Sequence, residues 1–224
     1  MRIGSVAQGD CVRTGALATH LAEVVRLPRR CVYVVEGTSP AVFLLVDERA
    51  GAILVNTPPF TEAALMAVGA VASPTFIFLP SRFGARDVDR WRAATGARTL
   101  ASAEEAADVA GTVDEPIDGG VRMYGRLDFL LLSGRTRGTC ALRVKEAPGI
   151  IFFGPALEHA RDFAIEPLAD DFSTENRLIG ALALRDLEFE FAFCDDYSHG
   201  TSRYGPGAAD LVREGLVRVL DAPG

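Results

Sequence analysis

Phe78-Leu79-Pro80-Ser81-Arg82-Phe83-Gly84-Ala85-Arg86-Asp87-Val88-Asp89-Arg90-Trp91 spans the junction of a strand and a helix. An almost wholly apolar run, Thr75 to Leu79, enters it. Such a run fits a strand buried on both faces in a parallel sheet better than an edge strand. A helix leaves it, Asp87 to Thr95, with Trp91 on its apolar side and Gly96 as a C-terminal stop. Upstream, Cys31 to Glu36, Ala41 to Val46 and Ala52 to Asn56 read as an antiparallel meander around two turns, Gly37-Thr38-Ser39-Pro40 and Asp47-Glu48-Arg49-Ala50-Gly51. Thr57-Pro58-Pro59 breaks the sheet, and Thr61 caps a helix that has Glu62 in its first turn and runs to about Ala72. Leu17, Leu21 and Val24/Val25 predict a short helix within Val12 to Leu27, ended by Pro28. Residues 1–30 are otherwise a poorly defined N-terminal extension.

Downstream, Thr99 to Ala101 and a helix over Ala103 to Ala110 repeat the strand-helix alternation. Asp118-Gly119-Gly120 reads as a hairpin turn. Four strands follow: Val121 to Tyr124, Leu127 to Leu132, Thr139 to Val144 and Gly149 to Phe153. Ser173 caps a helix to about Ala183, with Asn176 at the third helical position. Leu187 to Phe193 alternates apolar and polar residues as a half-buried strand, and Ala208 to Leu220 is an amphipathic helix. With no linker or internal repeat, residues 1–224 read as one domain: a layered α/β (α+β) protein with two mixed sheets.

Composition narrows the function classes. Apolar residues are 49% and charged residues 24% of the 224, ordinary for a soluble globular chain. A formal charge of -7 argues against general binding to nucleic acid or to anionic membranes. Cys11, Cys31, Cys140 and Cys194 form no C-x-x-C pair, so neither a zinc ribbon nor a thioredoxin-type motif is present. Reduced thiols, the lack of a signal-peptide apolar core and the lack of a membrane-length apolar run make the expected location cytoplasmic.

The loops resemble those of the metallo-β-lactamase superfamily over roughly Val32 to Ala209. That family carries His-x-His-x-Asp-His followed by x-x-Asp at such a strand-helix junction. Ser81, Phe83, Ala85 and Arg86 stand in the four ligand places, and only the following Asp89 is unchanged. Ile53-Leu54-Val55-Asn56-Thr57-Pro58 is similar to the early strand that normally ends in a supporting Asp, here Asn56. Leu132-Ser133-Gly134-Arg135-Thr136-Arg137-Gly138-Thr139 resembles the Pro-Gly-His-Thr-Pro-Gly-His segment, with Arg135 in the place of a His. Ile151-Phe152-Phe153-Gly154-Pro155-Ala156-Leu157 puts Pro155 where a bridging Asp is expected. Ser198-His199-Gly200 resembles the final His-Gly motif, and His199 is the one ligand type retained. The resemblance implies an αββα sandwich: four layers, two mixed sheets flanked by helices.

Zinc is the metal the family implies, but its ligands are missing here. Phe83 and Ala85 have no lone pair, Pro155 cannot bridge metals, and Arg86 and Arg135 stay protonated. The expectation is therefore a non-catalytic protein with a vestigial, metal-free cleft. The alternative is a divergent metal-dependent hydrolase with a rearranged site near His199 and Asp195/Asp196, which Asp89 would approach. A Ser81-His199-Asp triad lacks the G-x-S-x-G setting. His20 and His159 read as surface or packing residues.

Arg82, Arg86, Arg135 and Arg137 fall on the two loops flanking the old site, and guanidinium groups suit carboxylates and phosphates. One reading is a cleft for an anionic small molecule or an acidic peptide. The other is internal neutralisation: Arg86 and Arg135 pair with Asp89, Asp195 or Asp196, Phe83 plugs the cavity, and the protein serves a protein partner or forms a homodimer.

Overall fold

The computed structural model describes residues 19–118, 122–165 and 167–220. An antiparallel run opens it: β1 (Leu21–Leu27), β2 (Arg30–Val35), β3 (Val42–Asp47) and β4 (Gly51–Val55). The chain crosses through α1 (Glu62–Val71) to β5 (Phe76–Leu79), then through α2 (Val88–Thr95) to β6 (Arg98–Ser102) and on to β7 (Glu115–Ile117). β4 to β7 are parallel, and the seven strands lie in sequence order. A second sheet holds β8 (Arg122–Met123), β9 (Leu127–Leu131), β10 (Cys140–Val144), β11 (Ile150–Gly154) and β12 (Phe191–Cys194), in the order β12-β11-β10-β9-β8. Its strands are antiparallel except β12, which runs parallel to β11. α3 (Thr174–Leu182) separates β11 from β12, and α4 (Ala208–Leu220) follows β12.

Side-chain alternation along the strands sorts the apolar residues into three layers of core. Val32, Phe43, Leu45, Ile53 and Phe78 from the first sheet meet Phe129, Leu142, Ile150, Phe152 and Phe193 from the second. The outer face of the first sheet buries Leu44, Leu54 and Ile77 under Val68 of α1 and Trp91 of α2. The outer face of the second buries Ala141, Ile151 and Phe153 under Ala181 of α3 and Val212 of α4. Helices, sheet, sheet, helices: this is the four-layer αββα sandwich. β5, with all four residues buried, is the internal parallel strand its composition predicts.

Local chemistry fixes the helix ends. Thr61 Oγ1 accepts the N–H of Ala64 at 3.0 Å, and Ser173 Oγ accepts that of Asn176 at 3.2 Å. Gly96 ends α2 in the left-handed region at φ 73°. Asp87 does not cap α2. It sits at φ 48° and turns its carboxylate to the N–H of Phe60 at 2.8 Å, while the buried Trp91 indole donates to the Pro58 carbonyl at 2.8 Å.

Several expectations need correction. The predicted helix within Val12 to Leu27 is replaced over Leu21–Leu27 by β1; residues 12–18 lie outside the described residues. A bulge between Glu23 and Val25 puts the buried Ala22 and Val25 three apart, so a strand mimics helical spacing. Residues 21–30 thus belong to the first sheet and not to an extension. No helix forms over Ala103 to Ala110, where turns follow β6. Gly119 and Gly120 lie outside the described residues, but β7 and β8 belong to different sheets, so Asp118-Gly119-Gly120 does not close a hairpin between them. Of the predicted Leu187-to-Phe193 strand only residues 191–193 enter the sheet, in β12, which runs on to Cys194; ahead of it Gly149 O takes both the Glu190 and Phe191 N–H groups.

Candidate functional site at the strand ends

Five connections meet at one edge of the sandwich and are laced by backbone hydrogen bonds. Asn56 N donates to Phe78 O at 2.9 Å, Thr57 N to Gly84 O at 2.9 Å, and Cys140 N to Pro80 O at 2.8 Å. Asp195 N donates to Gly154 O at 2.9 Å, and Asp195 O accepts Ala41 N at 2.7 Å. Two glycines permit this approach. A Cβ on Gly84 would lie 1.8 Å from Asn56 Oδ1, and one on Gly154, at φ 58°, would lie 2.2 Å from Pro80 Cβ.

The positions that resemble metal ligands are occupied by packing and capping. Ser81 has no solvent exposure, and its Oγ accepts the N–H of Phe83 at 3.3 Å to start a single 3-10 turn, Arg82–Gly84. Ala85 joins the core beneath α1 and α2. Pro155 is buried directly after β11. Asn56, buried at φ 62°, donates through Nδ2 to Ala41 O and to Asp195 Oδ1, both at 2.8 Å. Asp89 accepts the N–H of Thr112 at 3.0 Å and pairs with Arg92 at 3.3 Å. Those contacts, the Thr112 N–H first among them, hold its carboxyl below the usual range.

The arginines take partners other than those expected. Arg135 reaches Asp170 at 2.8 Å and Asp171 at 2.9 Å, not Asp89, Asp195 or Asp196. Asp171 also accepts from Arg177 at 3.3 Å. Arg82 lies 3.6 Å from Glu105 and 3.5 Å from Asp108. Arg86 donates its backbone N–H to Thr57 Oγ1 at 2.8 Å and its guanidinium to the Ser39 carbonyl. Arg137 stacks on Phe172 at 5.3 Å. Phe83 does not plug the cavity. It is 38% exposed, with Arg82 and Arg135 over its ring at 5.4 and 5.6 Å.

The retained histidine is not joined by other ligands. His199 is exposed, with Nδ1 3.3 Å from Tyr197 Oη. Asp196 spends both oxygens on the N–H groups of His159 and Ala160, each at 2.9 Å. Burial pushes the Asp195 carboxyl up to about 7, against the Asn56 hydrogen bond. Among the described residues no group of three or more His, Cys, Asp or Glu converges as a metal would require. The donor set does not fit zinc: Phe83, Ala85 and Pro155 offer no side-chain lone pair, Arg86 and Arg135 carry positive charge, Ser81 is engaged in its cap, and Asp89 and Asp196 are committed to N–H donors. Ser81, buried and capping, is not placed as a nucleophile either.

Reasoning from sequence missed Glu105 and the Asp170-Asp171 pair. Glu105 is fully buried and accepts the N–H of Arg82 at 2.9 Å and of Gly138 at 3.2 Å, joining the two principal loops. Within an alanine-rich segment it looks like one more exposed helical acid. Asp170-Asp171 is a visible acidic doublet, but nothing in the sequence ties it to Arg135.

No family model matches the chain, and comparison with curated proteins finds no match. Solved structures do. A Cronobacter sakazakii metallo-β-lactamase described by a HARLDQ motif aligns at TM-score 0.67 and 14% identity, covering 91% of this chain and 94% of that one. A B3 metallo-β-lactamase described as having an active-site glutamic acid aligns at TM-score 0.58 and 19% identity, over 84% and 85% of the two chains. A subclass B3 enzyme of Bradyrhizobium japonicum gives TM-score 0.56 and 14% identity, over 92% and 90%. The chain has the metallo-β-lactamase fold. Cys140 and Cys194 are buried and free, Cys31 is half-buried and free, and Cys11 lies outside the described residues. No helix among the described residues is long and apolar enough to cross a membrane.

Proposed function

We propose that this chain is a non-catalytic metallo-β-lactamase-fold protein whose former metal loops form a recognition surface for an acidic protein segment with an aromatic anchor. One observation carries this reading: a strip of aromatic rings and guanidinium groups in which Phe83 and Phe172 are exposed while Arg135 is largely covered. Phe83 sits between Arg82 and Arg135, the backbone of Arg135 accepts the N–H of Phe172, and Arg137 covers the ring of Phe172, itself 50% exposed. Aromatic residues, Phe among them, and arginine are enriched at protein–protein interfaces relative to the rest of the surface. Arg86 and Arg137 have no carboxylate partner among the described residues, which leaves their charge for an acidic ligand. The competing reading, a rearranged metal hydrolase near His199 and Asp195/Asp196, asks these acids to release the N–H groups they now satisfy.

Metal analysis and peptide titration separate the two. Protein purified without chelator and incubated with zinc, manganese or iron is expected to hold under about a tenth of an equivalent after dialysis, because too few free donors converge. Asp/Glu-rich peptides carrying one Trp or Tyr are expected to bind in a salt-sensitive manner, at least about tenfold weaker after Phe83→Ala with Phe172→Ala. Stoichiometric, dialysis-resistant metal would sink the proposal.

A further inference from the structure

Asn56 follows β4 in the first sheet, and Asp195 follows β12 in the second. Their side chains meet through one hydrogen bond, Asn56 Nδ2 to Asp195 Oδ1 at 2.8 Å, while Nδ2 also donates to Ala41 O. The two remaining atoms of this contact, Asn56 Oδ1 and Asp195 Oδ2, are both buried without a hydrogen-bond partner. With Asp195 ionised, both are acceptors and neither can serve the other. Two orphan oxygens on groups already bonded to each other form an uncommon arrangement. A single proton resolves it: an acid O–H and an amide C=O are complementary, as the N–H and carboxyl oxygen opposite them already are.

We propose that Asp195 is carried as an un-ionised carboxylic acid, its Oδ2–H donating to Asn56 Oδ1, and that this acid–amide pair is a proton-operated latch between the two sheets. The backbone gives the latch its reach. Asp195 N and O are bonded to Gly154 and Ala41, Asn56 N is bonded to Phe78, and Asn56 Oδ1 rests against Gly84 in the loop that carries Phe83. The place is chemically selective, since an Asp at 56 would set two carboxyls against each other.

The charged neighbours are few. Asp196, next in the chain, favours the protonated acid; Arg135, from the loop after β9, opposes it. The Cys194 thiol on the other side is itself kept neutral by burial. Burial dominates and brings the Asp195 carboxyl to about 7. Because the folded value lies above the unfolded one, the latch contributes fully below the ordinary Asp range and is lost as pH rises through about 7. Loss of the proton to solvent leaves both buried oxygens without a donor and loosens the Asn56–Gly84 contact.

The test is carbon-13 carboxyl NMR of the full chain, titrated from about pH 4 to about pH 9, with thermal melts of wild type and Asp195→Asn over the same range. The Asp195 resonance is expected to titrate near neutrality. Wild type is expected to lose melting temperature across that titration, and the amide variant, which cannot ionise, to lose much less. An Asp195 resonance that titrates in the ordinary carboxylate range, or an equal pH response in both proteins, overturns the proposal. Should Asp195→Asn fail to fold, the wild-type resonance decides alone.

Discussion

Glu105 accepts the backbone N–H of Arg82 at 2.9 Å from a site with no solvent exposure, and its second oxygen takes the N–H of Gly138. One buried carboxylate therefore ties the loop that carries Arg82 to the loop that carries Gly138. Glu105→Gln keeps one acceptor but turns an NH2 group toward a backbone donor, and is expected to cost about 1–3 kcal/mol in urea denaturation. Glu105→Ala leaves both N–H groups unpaired and should cost more. Parity of either variant with wild type would show that the loops are held some other way.

Arg135 and Arg86 differ in what they hold. Arg135 serves the buried Asp171 as well as Asp170, so Arg135→Ala is expected to lose about 1–3 kcal/mol with little relief at high salt. Among the described residues the Arg86 guanidinium donates to the Ser39 carbonyl and has no carboxylate partner, and Arg86→Ala is expected to cost less than about 1 kcal/mol. Chemical denaturation of the two variants at low and high salt checks the contrast.

Phe83 and Phe172 are the large aromatic side chains of the strip and are partly open to water. Substituting either by Ala is expected to change stability by less than about 1 kcal/mol. Phe153, fully buried beneath the helices of the second sheet, should lose about 3–5 kcal/mol on the same change. A comparable loss at Phe83 would mean that it is packing, and would remove it from the recognition surface.

His159 gives a pH dependence of opposite sense to that of Asp195. Its Nε2 accepts the N–H of Cys194 at 3.2 Å, so the ring is neutral with its proton on Nδ1, facing Arg203 O at 3.0 Å. Burial lowers its pKa, against the pull of Asp196. The folded value lies below the unfolded one, so this stability is present above about pH 6.5 and is lost as pH falls through the folded value. Denaturation midpoints measured on the acid side of neutrality should fall for wild type, and His159→Gln should flatten that fall.

Sequence patterning was most legible where one physical force acted alone. β5 is buried on both faces and reads as such, and the Thr61 and Ser173 caps are local chemistry. β1 was misread because its bulge breaks the two-residue period. β7 was passed over because it contains Pro116, which is tolerated at the edge of the sheet. The scarcity of ligand-type residues at the loop positions that resemble metal-binding ones was visible residue by residue. What holds those loops was not, since Glu105–Gly138 and Arg135–Asp170 join segments 33 and 35 positions apart. No local pattern encodes such pairings.

Ser81 is sealed from solvent, and Gly154 leaves no room for a side-chain atom against Pro80. For a protein engineer wishing to graft a zinc centre onto this scaffold, those two facts set the order of work. An imidazole at 81 needs the volume of a ring where a hydroxymethyl group now fits, and a carboxylate at 155 must be aimed by a backbone already locked in the left-handed region at 154. Installing ligands one at a time would strain the loops before any ion arrived to compensate. The loops themselves must be rebuilt first.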